Sequence, residues 1–342
     1  MRIVIFAVTL VVGLVFCMPG RAADQSSNDQ TIVLVTATGK IDGSLQLPVS
    51  KGKLPVVLII AGSGPTDRDG NSIGLKGKND SLKMLALSMA QAGIASVRFD
   101  KRGIAASASA ATSEADLRFE TYVQDAVAWL KRLKADARFS DVAILGHSEG
   151  SLIAMLAAQQ EPVMAYISVA GPAKNAADVL LQQLQGKLPP LLAIKNEEIL
   201  SSLQAGKIYA DVPVELRSLY RDSIQPYLIS WFHYTPEQEI VKLSCPILLI
   251  QGDKDIQVDT AQLKALMAAK PEADSLLVHD MNHVLKIIRG DMTQQMSSYT
   301  DPDISLAPEL STGLNTFLRD KLKKKWFFRL FCGYFLRKNC CS

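Results

Sequence analysis

The chain has 342 residues, 48% hydrophobic and 21% charged, a globular composition long enough for one large α/β domain or two smaller ones. Its net charge of +3 is unevenly placed: residues 321–342 hold seven basic residues and no acid, which leaves the remainder at −4. A basic body that grips nucleic acid is thereby excluded.

At the N-terminus, MRIVIFAVTLVVGLVF places one Arg before an apolar run of about 14 residues, the length of a signal-peptide core. Gly20, Ala22 and Ala23 supply small residues for cleavage near position 22 or 23. The run is shorter than the roughly 20 residues that span a bilayer. Residues 1–23 are therefore expected to direct export to the periplasm or the medium, and to be removed. Bulky Phe16 before Cys17 does not fit lipoprotein processing. Cys245 opens a buried strand, and Cys332, Cys340 and Cys341 lie in the tail, a spacing that makes neither a disulfide framework nor a zinc site.

TIVLVTAT (31–38) and KIDGSLQLP (40–48) read as an opening strand pair. PVVLIIAG (55–62) is continuously apolar, as in a strand buried on both faces. A helix is expected over 79–92, with Asn79, Asp80 and Ser81 as caps and Gly93 at its end, followed by the strand IASVRFD (94–100). Phe119, Tyr122, Val123, Ala126, Val127, Leu130 and Leu133 keep helical spacing within 116–135. DVAIL (141–145), a helix over 149–160 and VMAYISVAG (163–171) continue the alternation. CPILLIQGD (245–253), a helix near 259–269, DSLLVHD (274–280) and a last helix over 308–322 complete it. Such alternation argues a mostly parallel sheet with helices on both faces.

Residues 173–240 are the exception, with apolar residues only at helical intervals and a break at Pro189-Pro190. A separate domain is one reading; a stretch this short without flexible linkers fits a helical lid better. The expected organisation is a core of 31–172 and 241–322, a lid of 173–240 and a basic aromatic tail of 323–342.

Gly146-His147-Ser148-Glu149-Gly150 sits directly between an apolar strand and an apolar helix. The bare G-x-S-x-G pattern arises by chance in roughly one chain in ten of this length. In this context it marks a nucleophile elbow, a turn so tight that glycine flanks an exposed serine. Glu149 then opens a helix, where the dipole tolerates a negative side chain. A serine hydroxyl attacks only with a base, usually a histidine held by a carboxylate. Of the four histidines, His147 lies inside the elbow and reads as structural filler, His233 as surface or lid packing, and His279 as a buried strand end. His283, in the loop after the last strand, is the candidate base.

Between Ser148 and His283, QGDKDIQVD offers Asp253, Asp255 and Asp259. Asp255 is favoured because it has room to turn inward while Ile256 and Val258 anchor the loop. Asp253 is the reserve, and Asp259 suits a helix cap. The oxyanion donors expected are the backbone N–H groups of Glu149 and Ser63, with Gly64 in reserve, the latter two in the small-residue loop AGSGPTDRDGN (61–71). Asp67, Arg68 and Asp69 there read equally as ion pairs holding that loop or as a solvated turn.

From about 31 to 320 the chain resembles the α/β-hydrolase superfamily, specifically its bacterial serine aminopeptidase-like or dienelactone-hydrolase-like branch. The resemblance is carried, in order, by GSGPTDRDGN (62–71), FDKRGIAAS (99–107), GHSEG (146–150), QGDKDIQV (251–258) and MNHVLK (281–286). It implies Ser148 as nucleophile, Asp255 as orienter, His283 as base and the insertion as a lid. Ala105 departs from the usual R-G-x-G-x-S of that branch, which puts the shape of one loop in question.

Three rival motifs fail. His279 and His283 are four apart as in a zinc helix, but Asp280 replaces the glutamate of H-E-x-x-H. Lys78 after Gly77 lacks the remaining residues of a phosphate loop. Ser50-x-x-Lys53 lies in a hairpin turn, with no helix to place the lysine. No cofactor or metal is expected. The tail's aromatic core, flanked by lysines and arginines, suits an anionic membrane surface, a helix packed on the body or a disordered end alike.

The expectation is an exported serine hydrolase acting on carboxylic esters of small or medium acyl groups. Tyr227, Trp231 and Phe232, with Leu219 and Tyr220, roof an acyl pocket or pack as core. A serine aminopeptidase-like amide hydrolase is the nearest alternative, and a catalytically silent binding protein a further one.

Overall fold

The computed structural model describes residues 29–338, with side chains to residue 323; the expected signal segment and Cys340 and Cys341 lie outside the described residues. The β-favouring runs assemble as β1 (Asp29–Thr36), β2 (Gly39–Gln46) and β3 (Leu54–Ile60), then α1 (Ser81–Gln91), β4 (Ala95–Phe99) and α2 (Phe119–Ala135). β5 (Phe139–His147), α3 (Glu149–Gln160) and β6 (Tyr166–Val169) follow. The strands join in the order β1-β2-β4-β3-β5-β6, extended by β7 (Ile247–Gly252) and β8 (Asp274–Val278). β2 pairs antiparallel with β1 and β4, and every other pairing is parallel.

Both faces of this sheet are covered, which is why its inner strands are apolar without alternation. Val56, Leu58 and Ile60 of β3 face one hydrophobic cluster with Trp129 of α2 and Ile153 of α3. Val57 and Ile59 face another, with Leu85 of α1 and Leu314 of the last helix.

Between β6 and β7 the chain forms α4 (Ala176–Leu184), α5 (Pro190–Gln204), α6 (Arg217–Tyr220), α7 (Gln225–Trp231) and α8 (Pro236–Glu239). Asn175 caps α4 through the N–H of Ala177, and Pro190 starts α5, where a missing N–H costs nothing. Ile199, Leu203, Tyr220 and Leu228 of this insertion are buried in the same cluster as α2 and α3, whereas Leu219 is 37% exposed.

After β7 come α9 (Thr260–Ala269), β8, α10 (Met292–Ser297) and α11 (Pro308–Lys338). The final helix therefore runs through the tail's aromatic segment and does not stop at 322. Among the described residues no helix is long and apolar enough to cross a membrane. Two further boundaries differ from expectation. α2 begins at Phe119, because residues before it form a loop from which Glu114 reaches the insertion. β6 ends at Val169, because Ala170 turns to φ 52° and leaves the sheet.

Candidate active site

Ser148 lies between the end of β5 and the first residue of α3, with φ 55° and ψ −123°. A positive φ is uncommon for a residue with a Cβ and is tolerated where the surroundings over-determine it. Here the constraint is crowding. A Cβ at Gly146 would stand 2.0 Å from the Gly150 carbonyl oxygen, and one at Gly150 would stand 2.4 Å from that of Ile60. The Ser148 N–H donates to Val169 O at 3.0 Å, tying the turn to β6. Its partly exposed hydroxyl has no hydrogen-bond partner among the described residues, His283 included. Such contacts often tighten only in the substrate complex.

Asp255 and His283 meet in the loops after β7 and β8, with His283 Nδ1 2.8 Å from Asp255 Oδ2 and both side chains buried. The second carboxylate oxygen accepts the N–H groups of Gln257 and Val258, and Gln251 Nε2 donates to Oδ2 at 3.1 Å. Burial alone would raise the Asp255 carboxyl; the His283 ring and the two backbone N–H groups hold it below the usual carboxylate range. Val258 is buried, but Ile256 is 49% exposed and anchors nothing, so the backbone N–H bonds to Asp255 fix this loop instead.

His147 is more than filler. Its ring lies 4.9 Å from that of His283, and Nε2 stands 2.8 Å from the His283 carbonyl oxygen. Burial, reinforced by the neighbouring His283, pushes His147 down to about 3. A neutral ring then donates Nε2–H to that carbonyl, which ties the elbow to the loop carrying His283. The same loop is closed by Asn282, whose side chain accepts the Lys286 N–H and donates to Ser298. Lys286 is buried behind it with Nζ on the Ile304 carbonyl, and burial lowers it to about 8.

His279 is not buried. Its side chain is 75% exposed and pairs with Asp253 at 3.0 Å, because β8 is an edge strand with only one side protected. Asp253 is thereby engaged away from His283, and Asp259 caps α9 through the N–H of Ala261. His233 is exposed. Among the described residues no cluster of histidine, cysteine or carboxylate side chains is arranged to hold a metal.

The 61–71 loop is tied down by charge, not solvated. Asp100 accepts both the Arg68 backbone N–H and its guanidinium, each at 2.7 Å, and Asp69 pairs with buried Arg98 at 3.0 Å. Asp67 accepts the N–H groups of Asp69 and Asn71. These bonds press the start of the loop against the elbow, where a Cβ at Gly62 would lie 3.1 Å from Ser148 Cβ. Ser63 and Gly64 follow, exposed, and neither the Ser63 nor the Glu149 N–H has a protein acceptor among the described residues. Ala105 adopts φ 44°, so the neighbouring loop keeps a glycine-like conformation despite its departure from the family pattern.

Lys101 and Arg221 were not singled out from sequence, and Tyr227 was singled out only as an apolar roof residue, not for the polar contact it makes. Lys101 is buried with Nζ 2.6 Å from both the Gly62 carbonyl oxygen and Glu149 Oε2. Tyr227 of α7 donates its phenol to Glu149 Oε1 at 2.5 Å, and burial, then the Glu149 charge, raises it well above the usual tyrosine range. Arg221 of the insertion bonds Glu114 across the mouth of the same region. The signal for Lys101 was its place directly after a buried strand, where a long cation needs a partner.

A cavity of about 540 Å³ opens beside Gly64 and Glu149, lined also by Lys101, Tyr122, Ile224 and Tyr227. Tyr227 thus faces it, but through a polar contact. Trp231 and Phe232 do not line it. Trp231 stacks on Phe119 at 5.8 Å, and Phe232 is 6% exposed in the core. A second cavity of about 590 Å³, lined by Met164, Cys245 and Pro246, lies at the opposite ends of β6 and β7 from Ser148. Ligands of open α/β sheets bind at the carboxyl ends of the strands, so the first cavity is the one that matters here.

Strand order and the turn after β5 are those of the α/β hydrolases. Residues 74–284 match the family described as serine aminopeptidase, S33, and the chain belongs to that family. Esterase EstD of Thermotoga maritima is 27% identical over 263 residues, which cover 76% of this chain and 61% of the relative. The chain thus spans less than two thirds of that relative's length. Among solved structures, Est1E from Butyrivibrio proteoclasticus superposes with a TM-score of 0.57 at 18% identity, over 86% of this chain and 99% of that one. The Pyrococcus furiosus esterase Pf2001 superposes with a TM-score of 0.53 at 16% identity, over 86% and 91%. These two structures share the fold.

Proposed function

We propose that this protein is a serine hydrolase that cleaves carboxylic esters of small or medium acyl groups through an acyl-enzyme on Ser148. The observation that carries this reading is the buried Asp255–His283 hydrogen bond, coupled through His147 to the strained turn that presents Ser148. With Nδ1–H donated to Asp255, the His283 ring keeps Nε2 as the acceptor for the serine proton. Ser148 then attacks the ester carbonyl, the N–H groups of Ser63 and Glu149 receive the oxyanion, and His283 returns the proton to the leaving alcohol. Water, activated by the same imidazole, releases the acid. No metal or cofactor enters this scheme.

The 540 Å³ cavity is of the size that holds a small-molecule acyl or alcohol group. The insertion supplies its roof through Tyr227 and Ile224, which is the sense in which 173–240 acts as a lid. The family description favours an amide-cleaving alternative. An aminopeptidase needs a free acidic anchor for the substrate amine, however, and both carboxylates lining the cavity are engaged, Glu149 by Lys101 and Glu114 by Arg221. The name of the EstD relative points to esters as well. We further place the protein outside the cytoplasm on the strength of residues 1–23, with peripheral membrane contact through 323–342.

Turnover of p-nitrophenyl acyl esters should be compared with that of aminoacyl p-nitroanilides. The short and medium esters are expected to be hydrolysed at least 100-fold faster in kcat/KM, a gap of about 2.7 kcal/mol in transition-state stabilisation. Turnover of the anilides alone reverses the assignment.

A further inference from the structure

We propose that Lys101 is a positioning residue for the oxyanion hole, its single ammonium holding both halves of the hole in register. The proposal rests on the assignment of the Ser63 and Glu149 N–H groups as the oxyanion donors.

The Gly62 carbonyl and the Ser63 N–H belong to one peptide group, which is planar with the two bonds pointing in opposite directions. Lys101 Nζ sits 2.6 Å from that carbonyl oxygen. Fixing the C=O on one side therefore fixes the N–H on the other, and polarisation of the carbonyl by a cation strengthens the N–H as a donor. The same Nζ lies 2.6 Å from Glu149 Oε2, so the residue that supplies the second donor is tethered to the same atom. That tether sets the orientation of the Gly62–Ser63 peptide relative to the start of α3, at the point where both donors must converge on one oxygen.

The setting makes the clamp rigid. The Lys101 and Glu149 side chains are only 2% and 3% exposed, so their pairing is little screened by solvent. Tyr227 bonds the other carboxylate oxygen, and Tyr122 places its ring under the ammonium, 5.1 Å from ring centroid to Nζ. Lys101's neighbours brace the same end of β4: Asp100 holds the loop at Arg68, and Arg102 holds Asp125 of α2 at 2.6 Å. The Gly62 carbonyl satisfies a second N–H of the buried ammonium, and it is the carbonyl whose peptide group carries the Ser63 donor. That second bond is what assigns Lys101 a part in transition-state binding.

Two variants separate the roles. Lys101→Met removes the ammonium and leaves Glu149 buried and unpaired. The double variant Lys101→Met/Glu149→Gln removes both charges and so restores electrical balance. Each is assayed for kcat and KM on a p-nitrophenyl ester and for melting temperature. Each is also titrated with an aryl trifluoromethyl ketone and with the matching secondary alcohol. Ser148 Oγ adds to the ketone carbon, its proton passes to His283, and the carbonyl becomes an oxyanion; the alcohol forms no such adduct.

In both variants we expect kcat to fall on the order of 10²-fold, the size associated with one oxyanion donor, with KM within about threefold of wild type. Ketone affinity should fall in parallel with kcat/KM, while alcohol affinity holds. The melting temperature should drop in the single variant and recover in the double. Recovery of kcat together with melting temperature in the double variant overturns the proposal, as does an equal loss of ketone and alcohol affinity. A wild-type protein that neither hydrolyses esters nor binds the ketone instead overturns the assignment of the site on which the proposal stands.

Discussion

Asp255→Asn is expected to lower kcat for ester hydrolysis by roughly 10⁴-fold, the largest effect of any isosteric change at this site. The wild-type carboxylate only accepts, and it takes Nδ1–H from His283, Nε2–H from Gln251 and two backbone N–H groups. An asparagine oxygen can keep the two backbone bonds. Its NH₂ then faces His283 and Gln251, donates to Nδ1 and drives the proton to Nε2, where it blocks acceptance of the serine proton. The new donor also opposes Gln251 Nε2, so stability should fall by about 1–2 kcal/mol. Stopped-flow turnover and urea unfolding of the same preparation separate the two losses. A variant with kcat within tenfold of wild type shows that Asp255 does not set the imidazole tautomer.

Gly146→Ala is expected to prevent folding or to cost more than about 4 kcal/mol, the range reserved for severe backbone conflict. The added Cβ meets the Gly150 carbonyl oxygen at 2.0 Å and the Ser151 nitrogen at 2.4 Å, and neither is a flexible side chain that can swing aside. Relief requires opening the turn that holds Ser148, so any folded fraction should also be inactive. Gly52→Ala, where a Cβ meets nothing within 4 Å, serves as the matched control and should unfold as wild type does. Denaturant unfolding with a midpoint equal to wild type for Gly146→Ala contradicts the crowded-turn account.

Much of the frame was legible because its signals are local. The continuous apolar runs of β3 and β5 reflect burial on both faces, and α3 spans 149–160 as its apolar stretch implies. The positions of Ser148, Asp255 and His283 followed from chemistry that demands those residue types at the carboxyl ends of strands. Other features depend on partners far away in sequence. Lys101 stands out only once Gly62 and Glu149 come together from 39 and 48 residues away. His279 looked buried because DSLLVHD reads as an inner strand, whereas β8 is the sheet edge. Trp231 and Phe232 looked like pocket residues because aromatic content does not reveal which side of a helix faces the cavity. The helical periodicity of α7 was present; the packing of Phe119 against it was not.

The central claim is that Ser148 is the nucleophile, and intact-mass analysis after treatment with a fluorophosphonate tests it most directly. One adduct per chain, mapped by peptide sequencing to Ser148 and lost in Ser148→Ala with the melting temperature preserved, is the result the account predicts. A wild-type protein that takes up no label, or a Ser148→Ala protein labelled to the same extent, contradicts it.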